Sequence, residues 1–189
     1  MNKTELRKYA LQKREQLSEM EREEMLSKLL AHFSEFDFSS IKIVHIYLPI
    51  KRKHEIDTFK LIDFLRAHKP SLIIVVPRSN FKILEMENVV YDEYTILEEN
   101  KYGIYEPING ELIADEKIDM VICPLLAFDK RGYRVGYGKG FYDRFLSKCR
   151  GDVVKIGLSY FDPEEKIEDI NDADVSLDYV ISSSRIWKF

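Results

Sequence analysis

Between Pro124 and Leu146 the chain reads PLLAFDKRGYRVGYGKGFYDRFL, and Gly132, Gly136, Gly138 and Gly140 fall within nine residues of it. A short apolar run, Met120–Cys123, leads in, and an amphipathic segment, Phe141–Leu146, leads out. The order strand, glycine-rich loop, helix is a building unit of α/β folds. Arg131, Arg134 and Lys139 are interleaved with the glycines. Glycine lets backbone N–H groups approach a ligand without a side chain in the way. A helix start adds free donors and partial positive charge. The loop therefore suits phosphate. The competing reading is a tight connection with solvated basic residues.

Neither common nucleotide template fits. A P-loop needs four residues between its first glycine and a Gly-Lys pair, followed by Ser or Thr. Here Gly132 lies one residue too far from Gly138, and Gly140 follows Lys139. Gly136, Gly138 and Gly140 also miss the dinucleotide spacing G-x-G-x-x-G.

The rest of the chain alternates helices with strands. Lys3 to about Leu17 reads as a helix, with Leu6, Ala10 and Leu17 on one face and Lys3, Arg7 and Arg14 on a basic stripe; by spacing alone that stripe is a solvated face. Ser18 to Glu21 is a capping box for a second helix, to about Phe33. Ile41–Leu48 is a strand whose His45 is expected to be a satisfied core residue. Asp57 or Thr58 caps a helix to about Ala67. Leu72–Val76 is a buried strand ended by Pro77, and Phe81–Met86 and Val89–Leu97 are strands joined by a turn at Glu87-Asn88. Asn109–Asp119 reads as a surface loop. Val153–Leu158 and Leu177–Ile181 are later strands. Such alternation predicts a mostly parallel sheet, with ligands at the carboxyl ends of its strands.

The net charge of −4, from 29 basic and 33 acidic residues, leaves no footprint for nucleic acid. No apolar run approaches a membrane span. Cys123 and Cys149 show no metal spacing, and with no leader-like N-terminus they read as reduced cytoplasmic thiols. No repeat or composition break divides the chain.

The run FDKRGYRVGYGKGFYDRFL resembles the signature of the 5-formyltetrahydrofolate cyclo-ligase family. NKTELRKYALQKR, YLPI with HEIDT, the KYGIYEP box and the late LDYVI resemble further family blocks in the family's order, across nearly the whole chain. The resemblance implies a single α/β domain over 1–189, with helices on both sheet faces, like certain sugar-phosphate isomerases. It implies conversion of 5-formyltetrahydrofolate and ATP into 5,10-methenyltetrahydrofolate, ADP and phosphate with Mg²⁺, by a cytoplasmic monomer with small-molecule substrates.

Residue by residue, the resemblance assigns Lys3 and Arg7 to the ATP phosphates, and Arg134, Gly136, Tyr137, Gly138, Lys139, Gly140, Phe141 and Tyr142 to ATP binding with them. Lys139, Arg134 and Tyr142 would take part in catalysis. Leu48, Glu55, Tyr102, Tyr137 and Phe141 would contact folate, with Glu55 holding the amidine-like edge of the pterin. Asp143 and Asp178 would hold Mg²⁺; by physics alone each is equally a structural carboxylate. Three departures stand out: Phe141 replaces a family Tyr, Tyr137 stands where some members have Arg, and the segment 50–54 is longer. The rival readings are an isomerase or acyl-CoA-type enzyme on the same fold, and a folate- or nucleotide-binding module without turnover.

Overall fold

A computed structural model describes residues 1–189. Helix α1 (Lys3–Glu15) opens on an Asn2 cap with a capping box to Glu5, and α2 (Glu19–Ser34) opens on Ser18 with Glu21. Each box satisfies backbone donors that a helix start leaves free. Then come β1 (Ile43–Ile46), α3 (Thr58–His68) with its Asp57 cap, β2 (Ile73–Asn80) and β3 (Glu85–Val90). Short strands β4 (Leu97–Glu99), β5 (Tyr105–Pro107) and β6 (Leu112–Ile113) precede β7 (Met120–Cys123). The chain continues with β8 (Ala127–Phe128), β9 (Arg134–Val135), α4 (Phe141–Leu146), β10 (Val154–Ser159), β11 (Tyr179–Ser182) and β12 (Ile186–Lys188).

Eight strands form the main sheet in the order β12-β11-β10-β7-β1-β2-β3-β6. The five from β11 to β2 run parallel, and β12, β3 and β6 pair antiparallel at the flanks. A parallel centre must be covered on both faces, and alternate residues of β7 show how. Met120 and Ile122 pack with Leu29 and Phe33 of α2 and Leu61 and Leu65 of α3, while Val121 and Cys123 pack with Phe145 and Leu146 of α4. Helix α1 seats Leu6 and Ala10 on Ala127 and Val135 of the separate β8–β9 hairpin. The α/β class and the mostly parallel sheet agree with the sequence reading.

Several local expectations do not hold. Pro77 does not end β2. Backbone groups of Ile74 face β3, where Tyr91 N–H donates to the Ile74 carbonyl, so those of Pro77 face the β1 side. There β1 has already ended, its last partner being Val75. Proline is tolerated where no ladder bond is required of it. The hairpin turn lies at 81–84, with Leu84 at φ +56°, and Asn88 is inside β3 opposite Pro77. The segment 109–119 is not wholly loop, since β6 pairs with β3. The glycine-rich stretch is also two features. Gly132 (φ +83°) closes the β8–β9 hairpin, which buried Asp129 organises by accepting Arg131 and Tyr133 N–H and the Arg131 guanidinium. Only Gly136 to Gly140 remain as a turn before α4.

Candidate active site

A cleft of about 240 Å³ opens at the carboxyl ends of β1, β2 and β7, against Tyr47, Leu48, Pro77 and Pro124. The glycine turn walls one side, and Phe81, Ile104 and Phe141 line another. Gly138 and Gly140 have φ of +87° and +68°, which side chains rarely adopt. A Cβ on Gly138 would lie 3.1 Å from the Arg7 guanidinium. Arg7 Nε donates to the Gly136 carbonyl at 2.9 Å, so the start of α1 is docked on the turn. That explains how residues 129 positions apart in sequence reach one site.

The cations of the cleft divide into paired and unpaired. Lys3 Nζ donates to both carboxylate oxygens of Asp174, at 2.6 and 2.5 Å. Arg134 is buried, donating to the Val175 carbonyl and to Asp143 Oδ1, the latter at 2.7 Å. Asp143 Oδ1 also accepts Val175 N–H. The Lys139 side chain lines the cleft, exposed, with no ion-pair partner. Arg144 is committed to the carbonyls of Leu84 and Lys139.

Glu55 is buried beside the cleft. Its Oε1 accepts the Tyr137 hydroxyl and its Oε2 accepts Ile50 N–H, both at 2.7 Å. Each carboxylate oxygen retains a further acceptor direction. Burial pushes the Glu55 carboxyl up from its ordinary range, against the lowering effect of those two bonds. Tyr137 and Phe141 both line the cleft, whereas Tyr102 stands outside its lining, its ring tilted against that of Phe81 at 4.2 Å between centroids.

Two expected residues are placed differently. The Tyr142 ring lines the cleft, but its hydroxyl bonds inward to His45 Nε2 at 3.0 Å. His45 Nδ1 meets Asn88 Oδ1 at 2.7 Å, and Asn88 Nδ2 donates to Asp115. The Asn88 orientation assigns the proton to His45 Nδ1, so Tyr142 donates to Nε2. Burial lowers the His45 pKa to about 4, which keeps the ring neutral. Tyr142, expected to take part in catalysis, thus has its hydroxyl engaged in a core network while its ring faces the cleft. Asp178 is also removed from the site. It precedes β11, at the amino end of the sheet, where it accepts Lys155 N–H and pairs with Lys155 Nζ at 2.9 Å. The cleft is at the opposite end.

Asp174, four residues earlier, lines the cleft, and so do Ile50 and Phe81; the residue reading had not selected them. Nothing in the acidic run around Asp174 singles it out, although its place on the approach to a strand from the cleft side is the distinguishing feature. For a divalent cation the donor set is sparse. No group of three or more His, Cys, Asp or Glu is assembled. Asp143 and Asp174, both on the Val175 side of the cleft, are hard oxygen donors. They fit a cation that keeps waters and shares phosphate oxygens, as Mg²⁺ does, and not a closed protein cage.

Comparison with known proteins agrees with this architecture. The profile of the 5-formyltetrahydrofolate cyclo-ligase family matches residues 1–183. The 5-formyltetrahydrofolate cyclo-ligase of Mycoplasma pneumoniae is 31% identical over 185 residues, covering 96% of this chain and 99% of the relative. That of Mycoplasma genitalium is 30% identical over 165 residues, covering 85% and 86%. The solved structure of Aquifex aeolicus 5,10-methenyltetrahydrofolate synthetase superposes with a TM-score of 0.83 at 30% identity, over 100% of this chain and 93% of that one. The chain belongs to the 5-formyltetrahydrofolate cyclo-ligase family. It is accordingly an enzyme, a ligase of folate metabolism.

Proposed function

We propose that the chain closes 5-formyltetrahydrofolate to 5,10-methenyltetrahydrofolate in an ATP-dependent reaction that releases ADP and phosphate and requires Mg²⁺. The observation that carries this reading is one cleft joining cations at a glycine turn to a buried, oriented carboxylate, Glu55. A formamide oxygen is a poor leaving group, and its phosphorylation makes it a good one. N10 then bonds to the activated carbon, losing its proton, and phosphate departs. Phosphoryl transfer asks a protein mainly for positioning and charge neutralisation.

Lys139 and Arg7 supply that charge beside the glycine turn. Glu55, through acceptor directions left open by Tyr137 and Ile50, takes N–H bonds from the pterin edge. Phe81, Phe141 and Tyr102 offer aromatic faces for a conjugated ring. Mg²⁺, when bound, would neutralise phosphate charge, and Asp143 and Asp174 are the carboxylates that would hold it. Arg134 and Lys3 keep those two carboxylates in place. Residues 1–189 act as one unit. The free thiols Cys123 and Cys149 suit a reducing cytoplasm.

The test is near-ultraviolet absorbance of the methenyl product in the presence of 5-formyltetrahydrofolate, ATP and Mg²⁺. Turnover requiring all three is expected. Binding without turnover would identify a binding module, and turnover without ATP would remove the ligase chemistry. A second measurement addresses the metal carboxylate. Asp143→Asn should raise the Mg²⁺ concentration for half-maximal activity about tenfold at saturating ATP, because a hard cation loses its charged ligand. The same change weakens the pair with buried Arg134, so a stability loss of about 1–2 kcal/mol accompanies it. The Mg²⁺ requirement is the deciding readout; an unchanged value would make Asp143 a structural partner of Arg134.

A further inference from the structure

Arg14 lies on the same helix face as Lys3 and Arg7, yet no step above uses it. It is 3% exposed. Its Nη2 donates to the Leu125 carbonyl at 2.9 Å, while Nε and Nη1 are buried with no partner. A guanidinium kept in the interior with unmade bonds is costly. A cost of that kind is retained where the charge itself is needed.

The only buried carboxylates are Asp129 and Glu55. Asp129 already has the Arg131 guanidinium at 2.7 Å. Glu55 has no cation within ion-pair distance; its bonds come from a phenol and an amide. Two tyrosine hydroxyls reach Glu55, Tyr137 at its Oε1 (2.7 Å) and Tyr160 at its backbone carbonyl (3.5 Å), and with Tyr47 they lie in the field of Arg14, which also acts on the carboxylate. On its far side Glu55 borders a smaller cleft. There Arg22, Lys51 and His54 face Glu19, Glu23 and Asp57, which leaves no positive surplus to offset its charge. In the main cleft Lys3 and Arg134 are matched by Asp174 and Asp143, and Arg7 and Lys139 sit at the glycine turn.

We propose that Arg14 is the buried counter-charge that keeps Glu55 a carboxylate, and so is a positioning residue for folate recognition. It touches neither substrate. It acts through Glu55 across the tyrosine cluster, and the same helix thereby serves both ends of the cleft, with Lys3 and Arg7 at one and Arg14 at the other. The inference rests on the role of Glu55 proposed above.

The experiment is the pH profile of the folate KM for wild type, Arg14→Met, Arg14→Lys, Glu55→Gln and the Met/Gln double variant. Folate binding needs the charged carboxylate, so affinity falls as pH drops through the Glu55 pKa. Removing Arg14 raises that pKa further, and the acid limb should move to higher pH. Arg14→Lys should bring it part of the way back, and the ATP KM should stay level. In the Glu55→Gln background, Arg14→Met should leave the profile unmoved. A uniform rise in KM at every pH, or an equal Arg14 effect with and without Glu55, would overturn the proposal. If Glu55→Gln alone leaves folate KM unchanged, the reading of Glu55 fails, and the role of Arg14 falls with it. If Arg14→Met does not fold by itself, the melting temperature of the double variant decides: recovery supports the coupling and no recovery refutes it.

Discussion

Lys139→Ala should lower kcat about 10²- to 10³-fold, the usual consequence of removing one preorganised charge from a developing transition state. Its side chain is exposed and unpaired, on a turn between two glycines, so the fold has little to lose. An exposed substitution of this sort changes stability by about 0.5 kcal/mol or less, roughly 2 °C in melting temperature for a chain of this size. The contrast with the other cations is what gives the variant its force. Arg134 and Lys3 hold carboxylates and Arg7 holds the Gly136 carbonyl, so their removal disturbs geometry as well as charge. A near-normal kcat in Lys139→Ala, with an intact melt, would take the phosphate away from the glycine turn.

Glu55→Gln should act on the other substrate. An amide cannot accept two charge-assisted bonds from a planar donor pair, a loss on the order of 1.5–3 kcal/mol, or about 10- to 100-fold in folate KM. The ATP KM should move little. The pH dependence adds a signature: burial raises the Glu55 carboxyl, so wild-type affinity weakens from a higher pH than an exposed glutamate would give, and Gln flattens that limb. Steady-state KM values for both substrates across pH are sufficient. A shift confined to the ATP term would put Glu55 in the wrong half of the cleft.

Local signals in the sequence were reliable where local physics decides. The box Ser18/Glu21, the Asp57 cap and the all-apolar β7 are where their residues put them. The failures have long-range causes. Asn88 has the chemistry of a turn, but His45 and Asp115, 43 and 27 residues away, hold it inside a strand. Pro77 has the chemistry of a stop, but its missing N–H falls where the neighbouring strand has ended. Asp178 and Asp174 differ by four residues, and only the direction of β11 tells that one starts a strand at the far end of the sheet. Arg14 continues a basic stripe, and its burial against the Leu125 carbonyl, 111 residues away, is something no helix periodicity contains.

Strand β2 outruns β1, and from Val76 to Asn80 it pairs with β3 on one edge, while on the other Ser79 N–H donates to the Glu106 carboxylate of β5 without a strand ladder. The cleft therefore has unequal banks. The glycine-turn bank is bolted to α1 and rests on the buried hairpin beneath it. The bank carrying Phe81 is the end of the β2–β3 ribbon, tied at its turn to α4 by Arg144 Nε donating to the Leu84 carbonyl and, just beyond α4, by the Lys148–Glu85 pair, and a two-stranded ribbon is marginal by itself. Opening of that ribbon costs less than opening of the sheet centre. Amide exchange should be graded, fast at 79–86 and 100–104 and slow at 120–123. Uniform protection would show a rigid vessel; a gradient would mean that the compliant bank is the door and the glycine turn the fixed jamb.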